Sequence, residues 1–203
     1  GARRNAENGR HYWRITPWIM PLHTIIPPRA DHPLGAHVWV PIDDHNCWTW
    51  SINYHPARAL TDAERTAMKE GRGIHNKYVP GTFIPLANKR NDYLMDRAAQ
   101  KAGTQYSGVE GIAIQDASLQ ESMGPIQDRA KENLCPTDLG IVMTRRLLLA
   151  AAKANREGGR IPALDPAEQR VRSCAIELAS DQHFKDHARH GLFAPLDSAP
   201  VSV

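Results

Sequence analysis

The sequence predicts an α+β fold, a curved antiparallel sheet gripping a long helix near the C-terminus. Three observations predict it. Residues 36–54 alternate apolar and polar on both sides of the break "DDHN", the pattern of a β-hairpin with one face on a core. Residues 139–159, "LGIVMTRRLLLAAAKANREGG", carry apolar residues at helical spacing. Strand signals come first and helix signals later, which favours segregated elements over a parallel α/β repeat.

The elements follow in order. Residues 1–10 are polar and read as an entry loop. "HYWRITPWIMPLHTIIPP" is aromatic and β-branched but broken by Pro17 and Pro21, so it predicts edge or bulged strands. "RADHPLG" is a turn. In the hairpin, Ala36, Val38, Val40 and Ile42 share a face, as do Trp48, Trp50, Ile52 and Tyr54. Thr61 and Glu64 have capping-box spacing, so a helix starts at 61–65 and ends by "EGRG". Pro80, Gly81 and Pro85 make residues 72–90 an irregular crossing, and 91–100 a short helix. Ser118 and Glu121 repeat the capping-box spacing, which predicts a helix beginning just after Asp116. Pro125 suits the first position of a further helix. Asp138 and Gly158–Gly159 bracket the long helix, and a helix of about 20 residues would be roughly 30 Å long. "DPAEQRVRSCAIELAS" reads as another helix, through Val171, Cys174 and Leu178, and the tail from residue 181 as loop.

Composition narrows the classes. The chain has 203 residues, 25 Lys and Arg against 22 Asp and Glu, and a net charge of +3. That suits one domain of ordinary size. The short basic pairs Arg3–Arg4 and Arg145–Arg146 are no nucleic-acid patch. Cys47, Cys135 and Cys174 are too few and too scattered for a disulfide framework, and no CxxC pair occurs. No apolar run has membrane-spanning length. No signal peptide is visible, and the cysteine usage fits a reducing, cytoplasmic setting.

The chemistry-bearing candidates are few. Asp116 ends the apolar run "GIAI"; it is a helix-start acid, a surface acid or general base, or a hard oxygen ligand to a non-haem iron. His32 and His37 have the spacing H-x4-H, but Pro33 and Gly35 lie between them and two sheet-edge histidines are the default. His183 and His187, with His190 beyond, stand one helical turn apart in the spacing of a zinc pair, against a solvated histidine-rich end. Cys135 precedes a proline and reads as packed. Trp39, Trp48 and Trp50 lack interleaved Arg and Lys, so core or interface packing is preferred over base stacking. Phosphate-binding loops and GxSxG elbows are missing from the sequence.

One stretch is longer and more specific. "YSGVEGIAIQDASLQESMGPIQDRAKENLCPTDLGIVMTRRLLL", from Tyr106 into the long helix, resembles the catalytic domain of Rieske-type non-haem iron aromatic-ring hydroxylating oxygenases, in particular the phthalate dioxygenase-like group. "HYWRITPWIMPLHTIIPP", "HVWVPIDDHNCWTW" and "KYVPGTFIPLANKRNDYLMDRAAQ" are similar to it as well, so the resemblance covers most of residues 11–160. It implies a helix-grip (START-like) domain and a mononuclear Fe(II) held by two histidines and one carboxylate, the carboxylate matching Asp116. The histidine-bearing helix and the cysteine–histidine pairs of a Rieske [2Fe-2S] cluster are missing from these residues. His32 and His37 follow the strand where that helix should precede it and are not assigned.

The expectation is therefore a partial domain, the C-terminal part of a longer oxygenase. Residues 1–164 would belong to the catalytic domain and 165–203 would be a helical extension and tail, with both histidine ligands upstream. Such a protein hydroxylates an aromatic substrate, by expectation an aromatic acid, with O2. Its electrons come from NAD(P)H through a reductase or ferredoxin, and it forms a homotrimer. No nucleic acid or membrane partner is expected. Trp48, Trp50 and Ile52 are either core or wall of the substrate pocket, and 72–100 is an interface segment. Alone, the chain should be inactive and hold iron poorly. The alternative is a non-enzymatic helix-grip domain that binds an apolar ligand or supports an oligomer.

Overall fold

Two alternating stretches of sequence pair in the expected hairpin: β5 (Leu34–Pro41) and β6 (Cys47–Tyr54). A computed structural model describes residues 2–27, 31–161 and 164–193. The hairpin register sets Val40 opposite Trp48, Val38 opposite Trp50 and Ala36 opposite Ile52, so the apolar residues do share one face. The turn is an Asp device. The Asp43 carboxylate accepts the N–H groups of His45 (2.8 Å) and Asn46 (2.7 Å) and the Asn46 amide (3.0 Å). These bonds, led by that from His45, hold its carboxyl below the ordinary range. Upstream, β3 (Trp18–Ile19) and β4 (His23–Ile26) extend the sheet in the order β3-β4-β5-β6, every pair antiparallel.

A second antiparallel sheet joins the beginning and end of the chain. Its order is β1 (Ala2–Asn5), β2 (Arg10–Ile15) and β7 (Cys174–Ala179). Trp13 lies opposite Ile176, and Ile15 opposite Cys174. These four residues, with Leu178, form one buried face, and α5 (Phe184–Leu192) covers it with Phe184, Ala188 and Leu192 at four-residue spacing. The helix expected over "DPAEQRVRSCAIELAS" is corrected here: residues 174–179 are a strand, because Cys174, Ile176 and Leu178 at period two meet an apolar partner strand. The loop expected after residue 181 is likewise helix α5 through Leu192; residues 194–203 lie outside the described ones.

The helices divide between hits and corrections. α1 (Asp62–Lys69) starts at the expected capping box: Thr61 Oγ1 accepts the Glu64 N–H, and Glu64 accepts the Thr61 N–H at 2.7 Å. The long helix is α4 (Leu139–Arg156), 18 residues and about 27 Å at the usual rise. Asp138 stands at its N-cap without capping it; the carboxylate accepts the Cys135 N–H at 2.8 Å instead. Its apolar surplus is exposed, Leu139, Ile141, Met143 and Leu149 among it. A bidentate Arg145–Glu132 pair ties α4 to the loop before it. No helix begins at Pro125; the segment 124–138 is loop with two short 3-10 turns.

The α+β class holds. Both sheets are open and antiparallel, and each ends in free edges among the described residues. No helix among the described residues is long and apolar enough to cross a membrane. The chain divides into two compact units. One comprises Gly1–Pro41, Cys47–Arg58 and Ala130–Val203, and holds both sheets, α4 and α5. The other comprises Ile42–Asn46 and Ala59–Arg129.

A candidate metal-ligand helix

The second unit is built to hold one helix. Asn88 and Asn91 bond each other's backbone and the carbonyls of Pro85 and Leu86, framing a tight turn. Inside it Asp92, Tyr93 and Leu94 all take positive φ, 50°, 56° and 52°, which L-residues adopt only at a cost. Asp96 then caps α2 (Arg97–Lys101) through the Ala99 N–H at 2.8 Å. The chain returns beneath it: the Asp96 N–H donates to the Gly108 carbonyl at 2.7 Å. Val109 is buried with Tyr93 and Ile114 in a small core that Met95 and Ala87 flank.

From there α3 (Ile112–Ser122) begins. It starts four residues before Asp116 instead of just after it. Gly111, at φ 84° and ψ 132°, supplies a chain reversal that other residues resist. The Gln115 side chain bonds back to the Val109 carbonyl at 3.0 Å. The Ser118–Glu121 capping box does not form. The Ser118 hydroxyl donates to the Gln115 carbonyl within the helix at 2.8 Å, and Glu121 accepts the Tyr93 hydroxyl at 2.5 Å. So "IAIQD" lies within the helix, with Gly111 at its N-cap.

Asp116 therefore sits mid-helix. Ile114 faces the small core. On the far side Ile112, Asp116, Leu119 and Met123 follow the spacing four, three, four, which at 3.6 residues per turn confines them to an arc of about 60°. The three apolar members are 57%, 68% and 58% exposed, and Asp116 is exposed between them. A solvated helix face is ordinarily polar. Here a carboxylate lies in the middle of an apolar stripe that nothing in the described residues covers.

Tyr93 is the residue that sequence reasoning missed. It is 8% exposed, and burial, then the Glu121 hydrogen bond and charge, push its hydroxyl up to about 12. The sign of the linkage follows. The folded state holds the phenol proton more tightly than the unfolded chain, whose tyrosine titrates near 10. The stabilisation is complete below pH 10 and fades as the pH rises from 10 through about 12. Absorbance titration at the tyrosinate band is expected to show one phenol ionising near 12, absent in Tyr93→Phe. A wild-type titration identical to that of the variant would contradict this.

The other candidates stand apart. Trp48, Trp50 and Ile52 lie on the β5–β6 face, 41%, 56% and 44% exposed, so the core packing preferred for them is not realised within the described residues. They belong to the first unit and Asp116 to the second. His37 sits inside the sheet, its Nδ1 3.3 Å from Ser51 Oγ and its ring against Trp39; His32 is exposed. His183 caps α5 by accepting the Lys185 N–H at 3.2 Å and stacks on Phe184; His187 and His190 are exposed. Among the described residues no three His, Cys, Asp or Glu side chains gather as a metal site. An apolar cleft of about 210 Å³, lined by Trp18, Met20, Leu147 and Phe193 among others, is small against the roughly 300–1,000 Å³ of ordinary ligand pockets.

Comparison with known proteins assigns the family. The family model "LigXa C-terminal domain like" matches residues 2–183, and the chain belongs to that family. Its relatives place it among Rieske-type ring-hydroxylating oxygenases of the phthalate dioxygenase-like group. It is 35% identical to the 3-chlorobenzoate-3,4-dioxygenase oxygenase subunit of Comamonas testosteroni, over 81% of this chain and 41% of that protein. It is 30% identical to the phthalate 4,5-dioxygenase oxygenase subunit of Pseudomonas putida, over 98% of this chain and 45% of that one. The chain thus spans under half the length of the curated relatives it matches.

Proposed function

We propose that this chain is the C-terminal part of the catalytic domain of an oxygenase subunit that hydroxylates an aromatic acid with O2, and that Asp116 is the carboxylate ligand of its iron. The observation that carries the assignment is the placement of Asp116 between Ile112, Leu119 and Met123 on an uncovered helix face. Such a face is suited to burial against further protein, and an acid buried there needs a cation. The donor set fits in part: Asp116 offers one hard anionic oxygen, while among the described residues no three His, Cys, Asp or Glu side chains gather as a metal site. Two histidines from outside residues 1–203 would complete the two-histidine, one-carboxylate set.

The iron, when bound, would supply the activation of dioxygen. The chain's own residues do the rest. Asp116 would place its charge at the metal position, and its apolar neighbours, once covered in the complete protein, would exclude water from it. Trp48, Trp50 and Ile52 offer flat apolar surface to an aromatic ring, as a wall of the substrate pocket. The exposed face of β5 and β6 and the unburied apolar side of α4 support a helix-grip (START-like) arrangement in the complete domain. In the same proposal residues 1–164 belong to the catalytic domain and 165–203 form a C-terminal extension. A Rieske [2Fe-2S] cluster, a reductase or ferredoxin fed by NAD(P)H, a homotrimer with 72–100 at its interface and a cytoplasmic setting belong to the same proposal. Three free cysteines suit that setting.

Full-length protein, supplied with a reductase and NAD(P)H, is expected to consume O2 and hydroxylate phthalate or a substituted benzoate. It should carry one mononuclear iron besides the cluster iron and sulfide in each subunit. The absence of both product and mononuclear iron from folded full-length protein would defeat the proposal. The exposed Trp48–Trp50–Ile52–Tyr54 face also suits a second reading, a non-enzymatic domain that binds an apolar ligand or supports an oligomer. That reading predicts ligand binding or assembly in full-length protein free of iron.

A further inference from the structure

We infer that Tyr93 and Glu121 are a positioning pair for Asp116: their hydrogen bond on the anchored side of α3 sets the rotation at which the opposite side presents its carboxylate. The inference rests on the reading of Asp116 as an iron ligand.

Four observations converge on the pair. The bond is short, 2.5 Å from Tyr93 Oη to Glu121 Oε2, as a hydroxyl donating to a carboxylate makes it. The donor is buried in the core that holds Ile114. Glu121 stands five residues from Asp116 along α3, about 140° around the helix, so the bond fixes one side while the acid occupies another. Lastly, the turn that delivers Tyr93 holds three successive non-glycine residues in the left-handed region. Such strain persists only where the surroundings over-determine it, and it collects where geometry matters for function. A ligand must be held to about half an ångström. Among the described residues Ile114 is the one buried side chain of α3, and the Gln115 side chain adds a bond to the Val109 carbonyl.

Tyr93→Phe removes only the hydroxyl. Glu121→Gln keeps an acceptor for it, and Glu121→Ala removes the acceptor. The tests use full-length protein. In metal-depleted samples, Tyr93→Phe is expected to speed amide exchange across residues 112–122 and leave β2 and β7 unchanged. On adding Fe(II) alone, Tyr93→Phe and Glu121→Ala should bind it about tenfold more weakly, the scale of losing an outer partner of a ligand. Glu121→Gln should return to near the wild-type affinity. The electron paramagnetic resonance spectrum of the nitric oxide adduct should change in rhombicity for Tyr93→Phe and recover in Glu121→Gln.

Unchanged exchange and iron affinity in both Tyr93→Phe and Glu121→Ala would overturn the inference. So would exchange that quickens equally in β2 and β7, which marks a general loss of stability. Asp116→Asn separates the two levels. If it binds Fe(II) as wild type does, the ligand reading itself fails. If it loses the metal while Tyr93→Phe keeps it, only the positioning role fails.

Discussion

Full-length protein carrying Asp116→Ala is expected to lose its mononuclear iron and its product formation together. Losing an outer hydrogen-bond partner of a metal ligand costs 10–100-fold in affinity or activity; losing the ligand oxygen itself should cost at least about 100-fold. The loss would not come from unfolding. Asp116 is exposed, and no hydrogen bond or ion pair of its side chain is among the contacts that hold α3. Alanine is the better helix former by about half a kcal/mol. The variant should therefore melt at or slightly above the wild-type temperature while the cluster spectrum persists. Glu110→Ala removes a nearby exposed acid outside α3 and should change nothing. Iron per subunit and product yield decide the matter, and full iron with unchanged turnover in Asp116→Ala would rule the assignment out.

Gly108→Ala is expected to be strongly destabilising to the second unit. The residue has φ 72°, and a Cβ there would lie 2.7 Å from the Asp96 carbonyl oxygen and 3.2 Å from the Met95 side chain. Asp96 is fixed: it caps α2 and donates its N–H to the Gly108 carbonyl. The left-handed conformation costs about 1–2 kcal/mol for a residue with a Cβ, and overpacking adds about 1–3, so the loss is roughly 2–5 kcal/mol. Gly103 is the control. Its φ is also 72°, but nothing lies within 4 Å of a Cβ, so Gly103→Ala should show the conformational cost alone, about 1–2 kcal/mol. Urea midpoints measure both. Equal losses in the two variants would show that the approach to Asp96 contributes nothing.

The residues explain why some elements were legible and others were not. The hairpin was, because alternation and a turn-forming Asp-Asp-His-Asn lie within one short stretch and local contacts settle the register. So was α1, whose Thr61 follows a loop and is free to cap. Ser118 carries the same spacing to Glu121 but stands inside a run that Gly111 has already turned into helix, so its hydroxyl bonds inward and Glu121 goes to Tyr93. β7 was misread because its partner lies at the other end of the chain: Ala179 pairs with Arg10 and Cys174 with Ile15. "CAIELA" carries both periods, and only the facing strand chooses between them. Tyr93 gave no local signal, since three successive left-handed residues without glycine contradict every local preference.

By itself the sequence determined the α+β class, the hairpin with its apolar face, the long helix of residues 139–156 and, through the segment around "QDASLQESMGPI", the oxygenase family and Asp116 as its carboxylate candidate. These rest on periodicity, turn chemistry and motif, all properties of neighbours in the chain. Only the tertiary structure decided that Asp116 lies mid-helix on an uncovered apolar stripe, that Tyr93 and not Ser118 engages Glu121, and that residues 174–179 close a sheet with residues 10–15. The physical reason for the last two is a partner distant in the chain, and for Asp116 it is the helix start at Gly111, which prevails over the competing Ser118–Glu121 spacing.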